Sequence, residues 1–289
     1  MIRVMVPATS ANCCIGFDSM GMALNWFARF EFEKADKLKI TGCPEQFCND
    51  DNLVVLAFKK VCERLGKKMP SFHLHIDSQI PFARGLGSSA TCIVAGIMAA
   101  NAWFDQKLSL YEMFELATEM EGHPDNVAPA MYGNVTACFM DDDEICMQSM
   151  HCPDWHGLAM IPEYPVSTHE ARKVLPETLD YKECCEQVAH AIVFVAALQQ
   201  GNESLLVRSA KDFLHEPFRK KLIREYDEIH AYCMDCGVPM WISGSGSTML
   251  AVSKNVKKIE NLAEFLHSFS SISCRFVNIS DKGAYVENE

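Results

Sequence analysis

The sequence predicts a mixed α+β protein built from two layers of strands and helices. Its strand-like and helix-like segments follow one another in mixed order, which does not fit the regular alternation of an α/β parallel sheet. The chain has 289 residues, of which 49% are hydrophobic and 22% are charged. These values are typical of a globular protein with a large core, and the length suits one large domain or two ordinary ones.

Strands are expected where apolar residues alternate or form short runs between turn residues. In chain order they are residues 26–33, 72–76, 135–139, 145–150, 157–161, 240–243, 249–253 and 275–279. The third and fourth are expected to form a hairpin around the acidic turn at residues 141–144. Its carboxylates could bind a cation, but such a run is typical of a solvated turn, and we adopt that interpretation.

Helices are expected where apolar residues recur at helical spacing behind capping residues. Asp51 and Asn52 precede the first of them, and the capping box of Ser109 and Glu112 opens the third. The predicted helices are residues 53–65, 92–100, 110–121, 168–175, 181–200, 204–214, 222–236 and 256–269. We place a domain boundary between residues 1–153 and 154–289, so that each domain contains both strands and helices.

Charge and cysteine content argue against several classes of function. The formal net charge is −12, so no basic excess exists to neutralise a nucleic acid. Pro7 follows the first short apolar run at once, which leaves no room for the core of a signal peptide, and no run is long enough to span a membrane. The 14 cysteines are therefore expected to be reduced thiols in the cytoplasm. Cys233 and Cys236 have no second pair at zinc spacing, so a metal or redox site is not expected.

Residues 81–91 carry the clearest functional signal. Gly85, Gly87, Ser88 and Ser89 stand just before a small-residue apolar run that predicts a buried helix. A helix start has free backbone N–H groups and the positive end of the dipole, so it attracts anions. Glycine lets the backbone approach a phosphate closely, and serine adds donors or a magnesium ligand. The segment therefore predicts a site for the phosphates of a nucleoside triphosphate.

Two other glycine-rich loops must be distinguished from this one. Residues 85–90 match the dinucleotide fingerprint formally, but that fingerprint follows a strand directly, whereas residues 77–84 intervene here. A Walker A loop is excluded because no lysine follows the glycines. An ordinary Gly–Ser turn that caps a helix stays the alternative when this segment is taken alone.

Four further segments are unusually rich in polar residues and glycine. They are residues 7–21, 121–130, 167–176 and 242–248. Together with residues 81–91 they resemble, in the same order, the motifs of the GHMP small-molecule kinases, which include galacto-, homoserine, mevalonate and phosphomevalonate kinases. The motifs that resemble the homoserine kinase branch are residues 12–18, 123–130, 167–176 and 216–222. The resemblance spans nearly the whole chain.

The resemblance implies a fold and an activity. The implied fold is a GHMP kinase-like α+β fold, with an N-terminal ATP-binding α/β domain like domain 2 of ribosomal protein S5 and a C-terminal ferredoxin-like α+β domain. The implied reaction is the ATP-dependent phosphorylation of the side-chain hydroxyl of L-homoserine in threonine biosynthesis, with Mg²⁺ as the metal. The implied partners are small molecules. The resemblance allows a homodimer, and neither nucleic acid nor a membrane is expected.

The resemblance also assigns the nucleotide and metal sites. The residues that would wrap the triphosphate are Pro81, Phe82, Ala83, Arg84, Gly85, Leu86, Gly87, Ser88, Ser89, Ala90 and Thr91. The implied magnesium ligands are Ser89 and Glu121. A negative charge in the last turn of a helix is mildly unfavourable to the dipole, and this mismatch favours a functional role for Glu121.

Homoserine is a zwitterion, so its site needs groups of both signs. The resemblance assigns the carboxylate to Arg172 and Arg219, because a planar guanidinium matches two oxygens. Asn12 and Asp18 are the candidate acceptors for the ammonium group, and His123 would form a neighbouring polar wall.

The remaining roles concern the reacting hydroxyl. Asn126 would bond the substrate hydroxyl and Thr168 would steady Asn126, although Thr168 also fits a helix N-cap. Asp125 is expected to point elsewhere or to cap the following helix. We therefore expect no general base, with the hydroxyl proton passing to a phosphate oxygen. Catalysis would thus depend on Glu121, Asn126, Thr168 and Arg172.

Two local expectations complete the comparison. Cys14 replaces a glycine of the family pattern, so the turn must accept a Cβ, and its backbone angles are expected to change locally. The loop at residues 243–248 is expected to pack beside the phosphate loop and to bridge the two domains.

Two other functions stay open. A sibling kinase acting on another small alcohol, such as mevalonate, would leave Asn12 and Asp18 without an ammonium group to bind. A nucleotide-sensing protein without turnover would not need Ser89, Glu121 and both arginines.

Overall fold

The computed structural model describes residues 1–142, 144–152 and 154–287. The strands are β1 (Ile2–Ala11), β2 (Met20–Lys34), β3 (Lys39–Thr41), β4 (Phe72–Asp77), β5 (Val135–Asp141), β6 (Glu144–Met150), β7 (His156–Pro162), β8 (Met240–Ile242), β9 (Met249–Ser253), β10 (Ile272–Asn278) and β11 (Tyr285–Glu287). The helices are α1 (Leu53–Arg64), α2 (Ser88–Trp103), α3 (Leu110–Glu121), α4 (Pro124–Tyr132), α5 (Thr168–Lys173), α6 (Tyr181–Gln200), α7 (Glu203–Ser209), α8 (Glu216–Arg219), α9 (Tyr226–Asp235) and α10 (Val256–Phe265).

The first sheet joins strands that lie far apart in the chain. Its order is β11-β1-β2-β4-β3, and β5 pairs with both β2 and β6. The described pairs are antiparallel except for β3 with β4. In the register of β1, Val4 lies opposite Phe30 of β2 on one side and opposite Val286 of β11 on the other.

Helix α2 anchors the first layer. It contacts α1, α3, α4 and strand β1, and ten of its sixteen residues are buried. Such a helix is apolar nearly all round because it has neighbours on every side. Its first turn, which begins at Ser88, is therefore held rigidly where residues 81–87 lead into it.

The second sheet is buried on both faces along its strands β7 and β9, whereas its edge strand β10 is largely exposed. Its order is β10-β7-β9-β8, with antiparallel pairs throughout. In β9, Met249 and Ala251 belong to a core that includes residues of α9 and α10, whereas Leu250 and Val252 belong to the core shared with the first sheet. Because successive side chains point to opposite faces, burial of both faces requires an unbroken apolar run. This second sheet is thereby fixed against the first half of the chain.

Most predicted elements are confirmed. Helix α6 has the predicted bounds, and the predicted capping box at Ser109 is formed; a second capping box, at Ser167, was not predicted. The predicted hairpin is β5 and β6, and Asp141, Asp142 and Glu144 of its turn are exposed. Asp143 of the same turn lies outside the described residues.

Four predicted helices in the second half have different bounds, of which α5 ends at Lys173 instead of residue 175 and α10 ends at Phe265 instead of residue 269. The helix predicted at residues 204–214 ends at Ser209, because the Asp212 carboxylate accepts hydrogen bonds from the backbone of His215 and Glu216 and starts a new turn there. Helix α9 begins at Tyr226 instead of residue 222, since a separate 3₁₀ turn occupies Lys220–Leu222.

Two expectations about caps were wrong. Ser167 is the N-cap of α5 and Thr168 is its first residue, so Thr168 has no capping role. His123 takes the N-cap position of α4, and Asp125 is buried in the first turn. The strands β1, β3 and β11 and the helices α4 and α8 were not predicted.

The domain boundary stays a prediction. Strands β1 to β6 lie in the first sheet and β7 to β10 in the second, but β11 returns to the first sheet. Pro153, the last residue of the predicted first domain, lies outside the described residues, as do Asn288 and Glu289. Within the described ranges, no helix has both the length and the apolar character needed to cross a membrane.

Candidate active site

Two loops meet where the two sheets adjoin. The phosphate loop (residues 81–91) runs into α2, and the serine loop (residues 243–248) connects β8 to β9. The Ser243 hydroxyl donates a hydrogen bond to Gly85 O over 2.6 Å, and Gly244 N donates to Ala11 O over 3.0 Å. The serine loop thus packs beside the phosphate loop, as predicted from the sequence, and it also contacts β1.

Glycine is required at two positions of the phosphate loop. Gly85 and Gly87 have φ angles of +70° and +66°, which side chains rarely adopt. A Cβ at Gly85 would lie 2.0 Å from Ser243 O, and one at Gly87 would lie 1.9 Å from the Thr9 hydroxyl oxygen. The loop can therefore approach its neighbours closely, and the first backbone N–H groups of α2, which begins at Ser88, stay available to an anion.

A polar cavity of about 510 Å³ opens beside these loops. Every residue predicted for the acceptor or the metal lines it: Asn12, Asp18, Ser89, Glu121, His123, Asn126, Thr168, Arg172 and Arg219. These side chains come from both halves of the chain, so the fold brings together groups that the sequence separates by as many as 207 positions, from Asn12 to Arg219.

Glu121 and Ser89 face each other at the start of α2. The Ser89 hydroxyl donates a hydrogen bond of 2.7 Å to Glu121 Oε2. Burial raises the pKa of the Glu121 carboxyl, while the hydrogen bond from Ser89 and the proximity of His123 act in the opposite direction. A buried carboxylate whose charge is poorly solvated gains from a nearby cation. The pair is thus two hard oxygen ligands of the kind that magnesium prefers.

Charges of both signs line the opposite wall of the polar cavity. Arg172 binds Asp18 through two parallel hydrogen bonds of 3.0 Å. The buried Arg219 donates from Nε to Ala171 O and from Nη1 to Gly244 O, each over 3.1 Å. Burial lowers its pKa to about 10. Its Nη2 has no hydrogen-bond partner among the residues that the structure describes, so this end can receive a ligand.

Phe17 supports both arginines. The Arg219 guanidinium carbon lies 4.9 Å from the ring centroid, and that of Arg172 lies 5.8 Å from it. His215 stacks on the same ring at 5.1 Å between centroids. The ring therefore fixes the separation of two cations that would otherwise repel each other.

The start of α4 forms another side of the polar cavity, with His123, Asp125 and Asn126 in its lining. Asn126 Oδ1 accepts a hydrogen bond of 2.7 Å from the Thr9 hydroxyl. His123 Nδ1 and Asp125 Oδ1 are 2.5 Å apart, and this hydrogen bond raises the pKa of His123. Asp125 lines the cavity, so the expectation that it points elsewhere was wrong. Its carboxylate is committed to the imidazole.

The turn that leads to Asp18 is left-handed. Asn12, Cys13 and Cys14 have φ angles of +69°, +43° and +67°, so Cys14 adopts a conformation typical of glycine despite its Cβ. The His215 imidazole holds the turn by bonding Cys14 O over 2.7 Å.

Asn12 is engaged with the protein itself. Its Nδ2 donates to Gly244 O over 2.8 Å, and its Oδ1 accepts from Asp18 N over 3.0 Å. It therefore fixes the position of Asp18 and of the serine loop.

Part of the predicted phosphate site faces away from the polar cavity. Ala83, Gly85, Gly87, Ser88 and Ser89 line it, whereas Pro81, Phe82, Arg84, Leu86, Ala90 and Thr91 do not. The Arg84 guanidinium turns instead to the end of β7, where it donates to the backbone oxygens of Pro162 and Glu163. Leu86 and Ala90 are buried in the core because they are apolar. These residues shape the loop without presenting a side chain to the cavity.

An apolar cavity of about 310 Å³ continues on the other side of the phosphate loop. It shares Ala83, Ser88 and Ser89 with the polar cavity. Phe47 and Phe82 stand at its edge with ring centroids 5.7 Å apart. The sequence did not indicate this cavity, because residues 43–53 resemble an ordinary turn and helix start.

Comparison with known proteins identifies the family. The family model "GHMP kinases N terminal domain" matches residues 52–134, and "GHMP kinases C terminal" matches residues 194–271. A homoserine kinase of Clostridium beijerinckii (strain ATCC 51743 / NCIMB 8052) is 39% identical over 272 residues, which cover 92% of this chain and 91% of that protein. The chain belongs to the GHMP kinases.

Two further comparisons agree with this assignment. This GHMP kinase is 36% identical over 294 residues to a homoserine kinase of Clostridium botulinum (strain 657 / Type Ba4), and the match covers 100% of this chain and 99% of the other. The crystal structure of homoserine kinase from Cytophaga hutchinsonii ATCC 33406 has a TM-score of 0.87 and 28% identity, covering 99% of this chain and 97% of that one. The predicted GHMP kinase-like α+β fold is confirmed.

Sequence reasoning missed several residues of this GHMP kinase site. Thr9 and Phe17 lie inside a segment that the sequence singled out, but neither residue type nor spacing set them apart there. Gly244 and Ser245 of the serine loop also line the polar cavity. A contact such as that of Thr9 with Asn126 links positions 117 apart, and only the fold reveals it.

A buried glutamate behind the site makes the stability of this GHMP kinase depend on pH. Glu216 accepts a hydrogen bond of 2.5 Å from Ile242 N, and burial raises its pKa from 4.5 to about 8. As the pH rises through this window, the unfolded chain loses the Glu216 proton first, so the folded state becomes progressively less favoured. The stabilising contribution of Glu216 is complete below pH 4.5, the pKa of an ordinary glutamate, and is lost above about pH 8, the pKa in the folded state.

The variant Glu216→Gln is expected to remove this dependence. Between about pH 5 and about pH 8, the unfolding free energy of the unmodified protein should fall by about 3 kcal/mol more than that of the variant. Urea unfolding at several pH values in this range measures the difference. Glu228→Gln, which changes an exposed glutamate of α9, should leave the slope unaltered. Parallel curves for Glu216→Gln and the unmodified protein would contradict the expectation.

Proposed function

We propose that this GHMP kinase transfers the γ-phosphoryl group of ATP to the side-chain hydroxyl of L-homoserine. The product would be O-phospho-L-homoserine, for threonine biosynthesis. One observation carries the proposal: Asp18, Arg172 and Arg219 line the same polar cavity as the phosphate loop. A zwitterionic amino acid needs a carboxylate for its ammonium group and guanidinium groups for its carboxylate. A sugar or a hydroxy acid has no ammonium group for Asp18.

The acceptor would bind by exchanging partners with an ion pair. Asp18 and Arg172 are bonded to each other, and their side chains are 37% and 41% exposed. An ion pair with this exposure contributes little free energy, so separating it costs little. The ammonium group of homoserine would then bind Asp18, while its carboxylate would bind Arg172 and Nη2 of Arg219, which has no partner among the described residues.

The nucleotide would lie across the phosphate loop. The apolar cavity suits a purine base between the Phe47 and Phe82 rings and the start of α1, and its shared wall with the polar cavity leads the phosphates to the first turn of α2. Arg84 makes no side-chain contribution, because its guanidinium is bonded at the end of β7. The charge of the phosphates would be met by backbone N–H groups and by Mg²⁺.

The donors at Ser89 and Glu121 fit Mg²⁺. A hydroxyl and a buried carboxylate whose oxygens are 2.7 Å apart are hard ligands, and magnesium completes such a set with phosphate oxygens and water. When bound there, the ion neutralises charge on the β- and γ-phosphates.

The chemical step would need no protein base. The acceptor hydroxyl oxygen attacks the γ-phosphorus, the bond from that phosphorus to the bridging oxygen breaks, and ADP leaves. The hydroxyl proton passes to a phosphate oxygen. Asp125 is poorly suited to take it, because its carboxylate is bonded to His123 and the pKa of His123 is raised by that bond.

A coupled assay of ADP release tests the proposal. The kcat/KM for homoserine should exceed those for mevalonate, galactose and shikimate by at least about 100-fold. The reason is that the ammonium and carboxylate contacts each contribute more than about 1 kcal/mol. Two homoserine analogues separate these contacts: 4-hydroxybutyrate lacks the ammonium group, and 3-aminopropanol lacks the carboxylate. A preference for mevalonate would indicate the sibling kinase instead. Nucleotide binding without turnover of any alcohol would indicate a sensor.

A cytoplasmic location is supported by the fourteen cysteines, all of which are free thiols. The homodimer and the expected absence of nucleic-acid and membrane partners stay predictions.

A further inference from the structure

Thr9 lies between the phosphate loop and the reacting end of the polar cavity. It is fully buried in β1, and its backbone N–H donates to Leu86 O of the phosphate loop over 3.2 Å. Its hydroxyl donates to Asn126 Oδ1 over 2.7 Å. Thr9 therefore contacts both the segment that would hold ATP and the amide that would meet the acceptor hydroxyl.

The Thr9 hydroxyl meets the carbonyl end of the Asn126 amide. An amide has a carbonyl oxygen that accepts and an NH₂ group that donates, and a rotation of 180° exchanges them. Here the carbonyl oxygen is occupied by Thr9, while Nδ2 has no hydrogen-bond partner among the described residues and Asn126 lines the polar cavity. The donor end is thus the end available to a substrate.

We infer that Thr9 is a positioning residue for phosphoryl transfer. Its hydroxyl holds the Asn126 amide so that the N–H end, and not the carbonyl end, meets the acceptor hydroxyl. This inference rests on the proposed function, because it takes the acceptor to be an alcohol bound beside Asn126.

The Thr9 hydroxyl lies close to both the phosphate loop and Asn126. The hydroxyl oxygen lies 1.9 Å from the place that a Cβ of Gly87 would occupy, so it is packed against the backbone of the phosphate loop. The same imagined Cβ would lie 3.1 Å from Asn126 Oδ1. Gly87, Thr9 and Asn126 therefore form one packed unit, and a displacement of the loop would also move the amide.

The orientation of the amide decides where the substrate proton points. An N–H group that donates to the acceptor oxygen leaves the hydroxyl proton free to reach a phosphate oxygen. A carbonyl group in the same place would accept that proton's hydrogen bond and turn it away from the phosphate. Because no protein base is required in this reaction, the direction of the proton matters for the rate of transfer.

Thr9→Val and Thr9→Ser form a matched pair that tests this role. Valine keeps the shape of threonine but removes the hydroxyl, so kcat should fall about 10- to 100-fold while both KM values change by less than about threefold. Serine keeps the hydroxyl and should retain at least about one third of kcat. Melting temperatures and ATP binding show whether each variant is folded. Thr9→Ala provides a second hydroxyl-free variant if Thr9→Val does not fold.

A double-mutant cycle with Asn126→Ala separates positioning from general damage. If Thr9 acts through Asn126, Thr9→Val should change kcat by less than about twofold in the Asn126→Ala background. Equal losses in both backgrounds would overturn the inference, and so would a folded Thr9→Val with full kcat. Failure of the unmodified protein to phosphorylate homoserine would count against the proposed function itself, before any variant is compared.

Discussion

The variant Glu121→Gln is expected to lower kcat by about 1000-fold or more. The change removes a charged oxygen that would hold Mg²⁺ beside Ser89, and several kcal/mol of charge stabilisation at the transferring phosphate depends on that ion. Glutamine has nearly the same shape and can still accept the hydrogen bond from Ser89. The loss should therefore come from the charge and not from the packing of α3. Initial rates over a wide range of magnesium concentrations measure it.

A neighbouring glutamate on the same helix provides the control. Glu119→Gln removes only an exposed ion pair with Lys60, so kcat should change by less than about twofold. In Glu121→Gln, the concentration of magnesium needed to support tight ATP binding should also rise, and this can be followed without turnover. An unchanged magnesium requirement in Glu121→Gln would assign the ion to other ligands.

The variant Arg219→Lys is expected to raise the KM for homoserine by about 100-fold. Lysine keeps a positive charge but cannot bond Ala171 O and Gly244 O while presenting a further N–H to the substrate carboxylate, as the fork of Arg219 can. The loss of one or two charge-assisted hydrogen bonds accounts for this factor. The KM for ATP should change by less than about twofold, because Arg219 does not line the apolar cavity in which the nucleotide base is proposed to lie.

The carboxylate-free analogue 3-aminopropanol makes this test specific. If Arg219 binds the carboxylate, Arg219→Lys and the unmodified protein should use 3-aminopropanol about equally well. An equal loss with homoserine and with the analogue would show that the variant damages the site as a whole. The matched control is Arg224→Lys, which changes an exposed arginine outside the polar cavity. It should alter the kinetic constants for neither homoserine nor 3-aminopropanol.

Long helices with a regular apolar pattern and clear capping residues could be predicted from the sequence. Helix α6 has Asp180 as its N-cap and Gly201 after its last turn, and its predicted bounds were correct. Helix α4 could not be found in this way. It begins with Pro124 and contains Pro129, and the tight packing of its residues against β1, β2 and β5 replaces the usual apolar stripe. Strand β3 is too short to show a pattern.

The composition of the site was predictable, but the directions of its side chains were not. Glycines and serines before an apolar helix identified the anion site, since the physical requirement is local. The sequence could not show that Arg84 turns to β7 or that Asp18 pairs with Arg172, because these partners lie 78 and 154 positions away. The buried Asp125 was misjudged for a different reason: its contact with His123 depends on the start of α4, a helix that the sequence did not predict.

The pairing of β11 with β1 has a consequence for how the protein forms. Val4 can pair with Val286 only after the residues between them have been synthesised, so the outer edge of β1 stays uncovered until then. An uncovered edge is a template for pairing with other chains. Non-local pairing of this kind is also slow. Nascent chains that stall before residue 285 should therefore depend on chaperones and be prone to aggregate.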